Sequence, residues 1–254
     1  MPMLIEDSDF DELFSHVQSV WQQLGETEPH FSVLTSERFQ TSKIKDNQTD
    51  FYNSGRADVE RLLKTLQRNG IDIESLKMCL EYGCGLGRVT YWLAKRFENV
   101  VGYDISEPHL NLASEHLKEM GVENVSLRHI KKPGDIGDFP KVDLVYSIIV
   151  LQHNPPPIIR LIIRELVRAL NPGGIALFQV PTYRVGYRFS VKEYLSDEGT
   201  RSEIEMHVLP QNEIFKILAA EQGELLEVLE DGSTGLRGGE RSNTFVVRKI
   251  RRTM

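Results

Sequence analysis

The sequence predicts an α/β fold in which a doubly wound, mostly parallel sheet follows a helical N-terminal extension. Three observations carry this expectation. From residue 77 onward, short apolar runs of strand length alternate with amphipathic helical stretches, the pattern of parallel strands joined by crossover helices. A glycine-rich turn stands where the first of those strands meets the first helix. The first seventy residues show helical spacing and no strand-like run.

In the extension, Phe10, Leu13, Phe14, Val17, Trp21 and Leu24 recur at helical spacing, Ser8 with Asp11 forms a capping-box variant, and Gly25 is expected to stop the helix. Residues 26–54 have no clean period but hold Phe31, Phe39, Phe51 and Tyr52, too many aromatics for a loose linker, so a packed loop is expected. Val59, Leu62, Leu63 and Leu66 mark a second helix that closes at Asn69-Gly70. Residues 1–70 therefore read as a helical cap or brace, and residues 71–254 as the main domain.

Residues 77–82 form the first strand, and Val89, Trp92, Leu93 and Phe97 give the next helix a buried face. Residues 99–103 form the second strand, after which Leu110, Ala113, Leu117 and Met120 face inward on a helix that stops before Gly121. Residues 125–130 and 142–147 are the third and fourth strands. Ile159, Ile162, Ile163, Leu166 and Leu170 line a helix opening at Pro155-Pro156-Pro157 and ending at Asn171-Pro172-Gly173-Gly174. A fifth strand, 175–180, leads into an insertion at 181–210 that is long for a connection and reads as lid-like. A helix with Ile214, Phe215, Leu218 and Ala219 and two strands, 225–230 and 243–249, complete the pattern.

Composition narrows the function. With 26% charged and 40% apolar residues in 254, disorder, collagen-like and coiled-coil readings are poor. Two cysteines, Cys79 and Cys84, lie in one apolar segment without a Cys-x-x-Cys or His-x-x-x-His pair, so no staple is expected and a reducing, cytoplasmic setting is. No run approaches the ~18 apolar residues of a spanning helix, so no membrane insertion is expected. The net charge of −7 disfavours nucleic acid as a partner. Against it stands the cluster Arg248, Lys249, Arg251 and Arg252, which reads either as an anion-binding patch or, favoured here, as a solvated last strand and tail.

The densest chemical signal is Glu81-Tyr82-Gly83-Cys84-Gly85-Leu86-Gly87-Arg88. Glycines there let the backbone turn sharply and approach a ligand at a helix N-terminus. A dinucleotide fingerprint places its third glycine five positions after the first; here that position is Arg88, which argues against NAD. Glu81 would repel phosphates but suits an ammonium group. Asp104, 21 residues beyond Gly83 at the end of the second strand, can accept both hydroxyls of a ribose; its alternative role is a turn cap. Ser106 is placed to cap the helix that opens at Pro108.

These residues make the chain resemble the class I S-adenosylmethionine-dependent methyltransferases over residues 77 to about 250. The resemblance rests on Glu81-x-Gly83-x-Gly85-x-Gly87, on Val101-Gly102-Tyr103-Asp104-Ile105-Ser106, on Asp143-Leu144-Val145-Tyr146-Ser147 with Leu151-Gln152-His153, and on Leu170-Asn171-Pro172-Gly173-Gly174. It implies a Rossmann-like, seven-stranded sheet with an antiparallel last strand. It also implies that Glu81 and the loop with Gly83, Cys84, Gly85 and Gly87 hold the methionine portion of S-adenosylmethionine, Asp104 the ribose and Ile105 one face of the adenine, with Ser147 beside the cofactor at the end of the fourth strand. The sequence departs from the family pattern after the third strand, at Lys131-Lys132-Pro133-Gly134-Asp135-Ile136, where Asp135 and Ile136 are the residues assigned to the adenine.

A sulfonium already makes its methyl electrophilic, so catalysis asks mainly for positioning, plus a base when the acceptor is a hydroxyl. His153 follows the fourth strand, and His207 lies in the insertion with Tyr183, Arg184, Tyr187, Arg188, Phe189 and Tyr194. Each is a base candidate, and each can equally pack a loop. His109 and His116, seven apart on one helix, lack a third metal ligand and are expected at the surface or in local contacts; no metal is expected. The insertion suits a sugar or an anionic small molecule, or a packing or homodimer contact. The resemblance extends to bacterial methyltransferases of glycan and secondary-metabolite assembly. The expected function is methyl transfer to a small-molecule hydroxyl, of a saccharide or a saccharide-containing metabolite. N-methylation of an amine and non-catalytic cofactor binding by a scaffold are the alternatives.

Overall fold

The computed structural model describes residues 6–196, 204–233 and 239–251. The strands β1 Met78–Tyr82, β2 Asn99–Asp104, β3 Val125–His129, β4 Val142–Ser147, β5 Leu170–Arg184, β6 Gly223–Glu230 and β7 Glu240–Lys249 form one sheet in the order β3-β2-β1-β4-β5-β7-β6. β1 pairs in parallel with β2 and β4, and β2 with β3, whereas β7 is antiparallel to β5 and β6. This is the seven-stranded, Rossmann-like sheet expected from sequence. Around it run the helices α1 Asp7–Thr27, α2 Pro29–Val33, α3 Gln48–Arg68, α4 Thr90–Ala94, α5 Glu107–Glu119, α6 Pro156–Ala169, α7 Val191–Ser196 and α8 Gln211–Ala220. By internal contacts the described residues fall into two compact units: Gln18–Lys131 with Val142–Tyr146, and the remainder.

In the first unit, β1 and β2 bury nearly every residue, as strands covered on both faces must. Three sequence expectations are corrected around them. Gly25 does not stop α1, which runs on to Thr27; a Cβ there would stand 2.5 Å from Ser106 Oγ and 2.9 Å from His109 Nδ1, so the glycine serves close approach of α1 to the start of α5. Ser8 lies inside α1, which begins at Asp7. Residues 26–54 are not simply a loop, because α2 and two single 3-10 turns precede α3, which already begins at Gln48. Phe51 and Tyr52 explain the early start: with Phe39 and Leu86 they form one buried cluster, whose burial outweighs weak local propensity.

The C-terminus of α3 follows the expected signal. Gly70 takes φ +66°, its N–H donates to the Gln67 carbonyl and that of Ile71 to the Leu66 carbonyl, the paired bonds of a Schellman cap. The same helix clamps the segment after the glycine loop. Arg88 is paired with Asp58 and donates from Nη1 to Ser54 Oγ at 3.1 Å, and Trp92 Nε1 donates to the Tyr52 carbonyl at 2.9 Å. On α5, Leu110, Ala113 and Leu117 are buried as expected, but Met120 is 45% exposed, because the helix has ended at Glu119.

In the second unit, β5 is longer than expected. Its ladder with β7 runs from Ile175 opposite Arg248 to Arg184 opposite Glu240, with a register shift between Pro181 and Tyr183. Residues 181–184 of the expected insertion are therefore strand, held because β7 itself starts at Glu240 rather than at residue 243. Ile159, Ile162, Ile163 and Leu166 of α6 are fully buried, as the helical spacing predicts. The C-terminal cations behave as a solvated last strand: Arg248 faces Glu224 at 3.7 Å and Lys249 donates to the Glu221 carbonyl, while Arg252 lies outside the described residues. No helix among the described residues is long and apolar enough to cross a membrane.

Gly55 is the point where α3 meets the backbone that follows the glycine loop, and a Cβ there would overlap the Arg88 carbonyl oxygen. Gly55→Ala should destabilise the protein by about 1–3 kcal/mol despite alanine's higher helix propensity. Thermal unfolding should report this as a lowered midpoint. An unchanged or raised midpoint would show that α3 shifts freely.

Candidate active site

The first unit builds a concave turn from β1 and β2. After Tyr82 the chain reverses through Gly83, Gly85 and Gly87, at φ +76°, +51° and +76°, a region closed to most side chains. The N–H groups of Gly83 and Cys84 both donate to the Tyr103 carbonyl, at 2.8 and 3.0 Å. Cys84 turns its side chain inward onto Gly102, where a Cβ would lie 3.0 Å from Sγ; its part in the turn is played by the backbone.

Asp104, the last residue of β2, completes the turn. One carboxylate oxygen accepts the Gly85 N–H at 2.8 Å and the other the Ser106 N–H at 2.9 Å. Each oxygen keeps acceptor capacity for a further donor. Ser106 caps α5 and bonds His109 Nδ1 at 2.7 Å, while His109 Nε2 lies 3.0 Å from Ser32 Oγ. His109 is thus buried in a local network instead of lying at the surface. His116 stacks on Tyr52 with ring centroids 3.4 Å apart, and among the described residues no group of His, Cys, Asp and Glu could hold a metal ion. Ile105 is half-buried, its carbonyl accepting from His129 Nε2 at 3.1 Å.

Glu81 sits at the base of the turn and is only 4% exposed. Burial pushes its carboxyl up to about 8, although the hydrogen bond from Thr90 and the nearby Arg88 guanidinium pull the other way. Thr90 Oγ1 donates to it at 2.6 Å. A protonated acid is thereby stored beneath a loop that sequence reading assigned to an ammonium group. Arg88, where a dinucleotide fold would carry glycine, is occupied with Asp58 and Ser54.

The second unit holds the other assigned residues. Ser147 is fully buried at the end of β4. Asp135 accepts the Lys132 N–H at 3.1 Å and closes the turn Pro133–Gly137, in which Ile136 is buried. Beyond β4, Ile149 adopts φ +60°, unusual for a β-branched residue. Its N–H is held by Oε1 of the buried Gln179 at 2.9 Å, and Gln179 Nε2 donates in turn to Gln152 Oε1 and Ser242 Oγ.

His153 is tied on both sides. Its Nδ1 lies 2.8 Å from the Glu205 carbonyl and its Nε2 3.3 Å from the Gln152 amide nitrogen, and burial lowers its pKa to about 4. His207 Nε2 lies 3.0 Å from Glu205 Oε2 and its Nδ1 2.9 Å from the Tyr187 hydroxyl. The structure thus joins the two histidines through Glu205, which the sequence reading did not single out. The alternation Glu205-x-His207 in extended chain was the available signal. Thr90 and Gln179 were likewise missed, since their roles depend on partners 9 and 30 residues away.

A family model described as a methyltransferase domain matches residues 79–174, from β1 into the start of β5. A ubiquinone biosynthesis O-methyltransferase of Pseudomonas fluorescens (strain Pf0-1) is 35% identical over 103 residues, 40% of this chain and 43% of that protein. The match thus spans less than half the length of this curated relative. Magnesium protoporphyrin IX methyltransferase from Synechocystis PCC 6803, solved with bound SAH, superposes with a TM-score of 0.63 at 17% identity, covering 92% of this chain and 99% of that one. The 4+2 cyclase SpnF superposes with a TM-score of 0.60 at 16% identity, covering 92% and 97%, so this fold by itself does not fix a reaction. The glycine turn, Glu81 and Asp104 all lie inside residues 79–174, the segment that matches the methyltransferase domain model.

Proposed function

We propose that the protein is an S-adenosylmethionine-dependent methyltransferase acting on the hydroxyl of a small molecule. The observation that carries this reading is the constellation of one unit: a buried acid, Glu81, below three left-handed glycines, and the Asp104 carboxylate fixed by the Gly85 and Ser106 N–H groups. These residues fit the cofactor's chemistry. Glu81 supplies a negative charge for an ammonium group, the turn leaves no Cβ in the way of a close backbone approach, and Asp104 retains lone pairs for two ribose hydroxyls. When bound, the cofactor supplies a methyl on a sulfonium, already activated for displacement. Ile105, Asp135, Ile136 and Ser147 are proposed to complete its site. Val33, whose Cγ2 would lie 3.2 Å from a Cβ on Gly85, supports a capping role for the N-terminal extension over the loop.

An O-methyl product is favoured because the curated relative reported above is named an O-methyltransferase. The saccharide acceptor expected from the sequence finds no counterpart among the relatives reported; a small-molecule hydroxyl is the form of the proposal retained. His207 and the described residues of the expected insertion beyond β5, 185–196 and 204–210, are proposed to serve that acceptor; residues 197–203 lie outside the described residues.

Calorimetric titration with S-adenosylmethionine and S-adenosylhomocysteine, with NAD as control, tests the reading. Saturable binding of the two adenosyl ligands and none of NAD is expected; no adenosyl binding by folded protein would refute it. Asp104→Ala should weaken S-adenosylhomocysteine binding about 10- to 100-fold, the loss of hydrogen bonds to a charged group. Asp104→Asn should lose less.

Glu81 gives a second check through protons. Its pKa of about 8, against 4.5 unperturbed, leaves it protonated at pH 7 before binding, and a nearby ammonium favours the ionised form. Binding at pH 7 should release about one proton, seen as a dependence of the calorimetric heat on the ionisation enthalpy of the buffer. Affinity should rise with pH up to about 8 and level off above it. Glu81→Gln should abolish the release and flatten the profile. In the unliganded protein the sign is opposite: the raised pKa contributes stability that is full below pH 4.5 and is lost as pH rises through 8.

A further inference from the structure

The segment around His207 contains an ordered chain of polar groups that loop packing alone does not require. Glu205 Oε2 accepts from Tyr194 Oη at 2.6 Å and lies 3.0 Å from His207 Nε2. A carboxylate only accepts, so Nε2 carries the proton of that bond. In a neutral imidazole Nδ1 then presents a lone pair, and the partner 2.9 Å from it is the Tyr187 hydroxyl, which must donate. His207 is 6% exposed, whereas Tyr187 is half-buried. Phe189 and Tyr194 set their rings against the imidazole, with centroids 5.6 and 5.8 Å away.

A phenol oxygen has one proton and two lone pairs. The proton of Tyr187 is committed to His207, and the backbone of Val208 takes part in one further hydrogen bond to the oxygen. One lone pair remains for an outside donor. His153 offers no such opening, since both its nitrogens are engaged within the fold.

We propose that Glu205, His207 and Tyr187 form a proton relay whose outer end, the Tyr187 hydroxyl, receives the proton of the acceptor hydroxyl; this rests on the methyl-transfer reading above. As the acceptor oxygen bonds to the methyl carbon and the C–S bond breaks, the sulfur keeps the electron pair. The acceptor's proton passes to the Tyr187 oxygen and the Tyr187 proton to His207 Nδ1. The Glu205 carboxylate then faces an imidazolium. Burial holds the Tyr187 phenol at about 12, so it has a proton to pass on at neutral pH. The Glu205 carboxyl is raised by burial but brought below its usual range by hydrogen bonds from His207 and Tyr194, so it is ionised where the relay needs a charge. Tyr187 is the catalytic residue in this scheme; His207 and Glu205 act through it.

The test uses the full chain saturated with S-adenosylhomocysteine, labelled with 15N at histidine. The relay requires His207 to be protonated on Nε2 with Nδ1 accepting, and Tyr187→Phe to move the Nδ1 resonance to that of an unbonded lone pair. In parallel, methyl transfer is measured from S-adenosylmethionine to a panel of one catechol, one simple phenol and one glycoside. Tyr187→Phe should lower kcat about 100- to 10,000-fold, the range for a general base, with the dissociation constant for S-adenosylhomocysteine unchanged within about twofold. His207 protonated on Nδ1 in the wild type overturns the relay, as does a Tyr187→Phe variant turning over any acceptor at the wild-type rate. Failure of the wild type to bind S-adenosylhomocysteine overturns the methyl-transfer reading instead, and with it any catalytic role for the relay.

Discussion

The Tyr103 carbonyl is the constraint on which the proposed cofactor site depends. It accepts two successive N–H groups, from Gly83 and Cys84, and so binds the turn after β1 to the last residues of β2. The next residue, Asp104, repeats the device with its side chain, taking Gly85 on one oxygen and Ser106 on the other. Four backbone donors from two different turns thereby converge on two adjacent residues. Such donors have no strand partner once β1 ends, and leaving them buried and unpaired would cost ~1–3 kcal/mol each. These bonds fix the turn from within the chain, and pre-organisation of this kind lowers the cost of binding a ligand.

Charge burial follows from the same geometry. Glu81 is drawn under the turn by β1, whose residues 79 to 82 are all buried, and the fold cannot expose it without breaking the strand. Its charge is suppressed instead. Arg88, close enough to favour the ionised form, is held by Asp58 and Ser54 from α3. The extension therefore bears on the electrostatics of the turn through Asp58 as well as on its shape through Gly55.

The strands and the turn were legible because each has a local sequence signature: apolar runs of strand length, glycine at positive φ, a carboxylate at a strand end. The features that escaped are those set by partners distant in sequence. Gly25 resembles a helix stop until Ser106 and His109 are seen against it, and the turn between Asn69 and Ile71 was readable because its partners lie within five residues. β5 exceeded its apolar run because β7 offered a ladder partner as far as Glu240, a fact no window on residues 175–184 contains. His153 and His207 were found as residue types, but what each of their nitrogens bonds was decided by Glu205, Gln152 and Tyr187. An isolated histidine in a sequence says that protons can move; only its neighbours say in which direction.

Ile149 bears on how this chain tolerates change. A β-branched residue at φ +60° is held against its own preference, and the Gln179 amide that holds it also donates to Gln152 and Ser242. Glutamate at 179 has the same shape but, when ionised, has nothing to donate, and glycine at 149 relaxes the strain but removes the side chain. Neither position can drift by single conservative steps without the other's partners being disturbed. The turn after β4 is thus inherited as a block of four residues from three separate stretches of chain, and a graft that carried over only the contiguous loop would import the strain without its restraint.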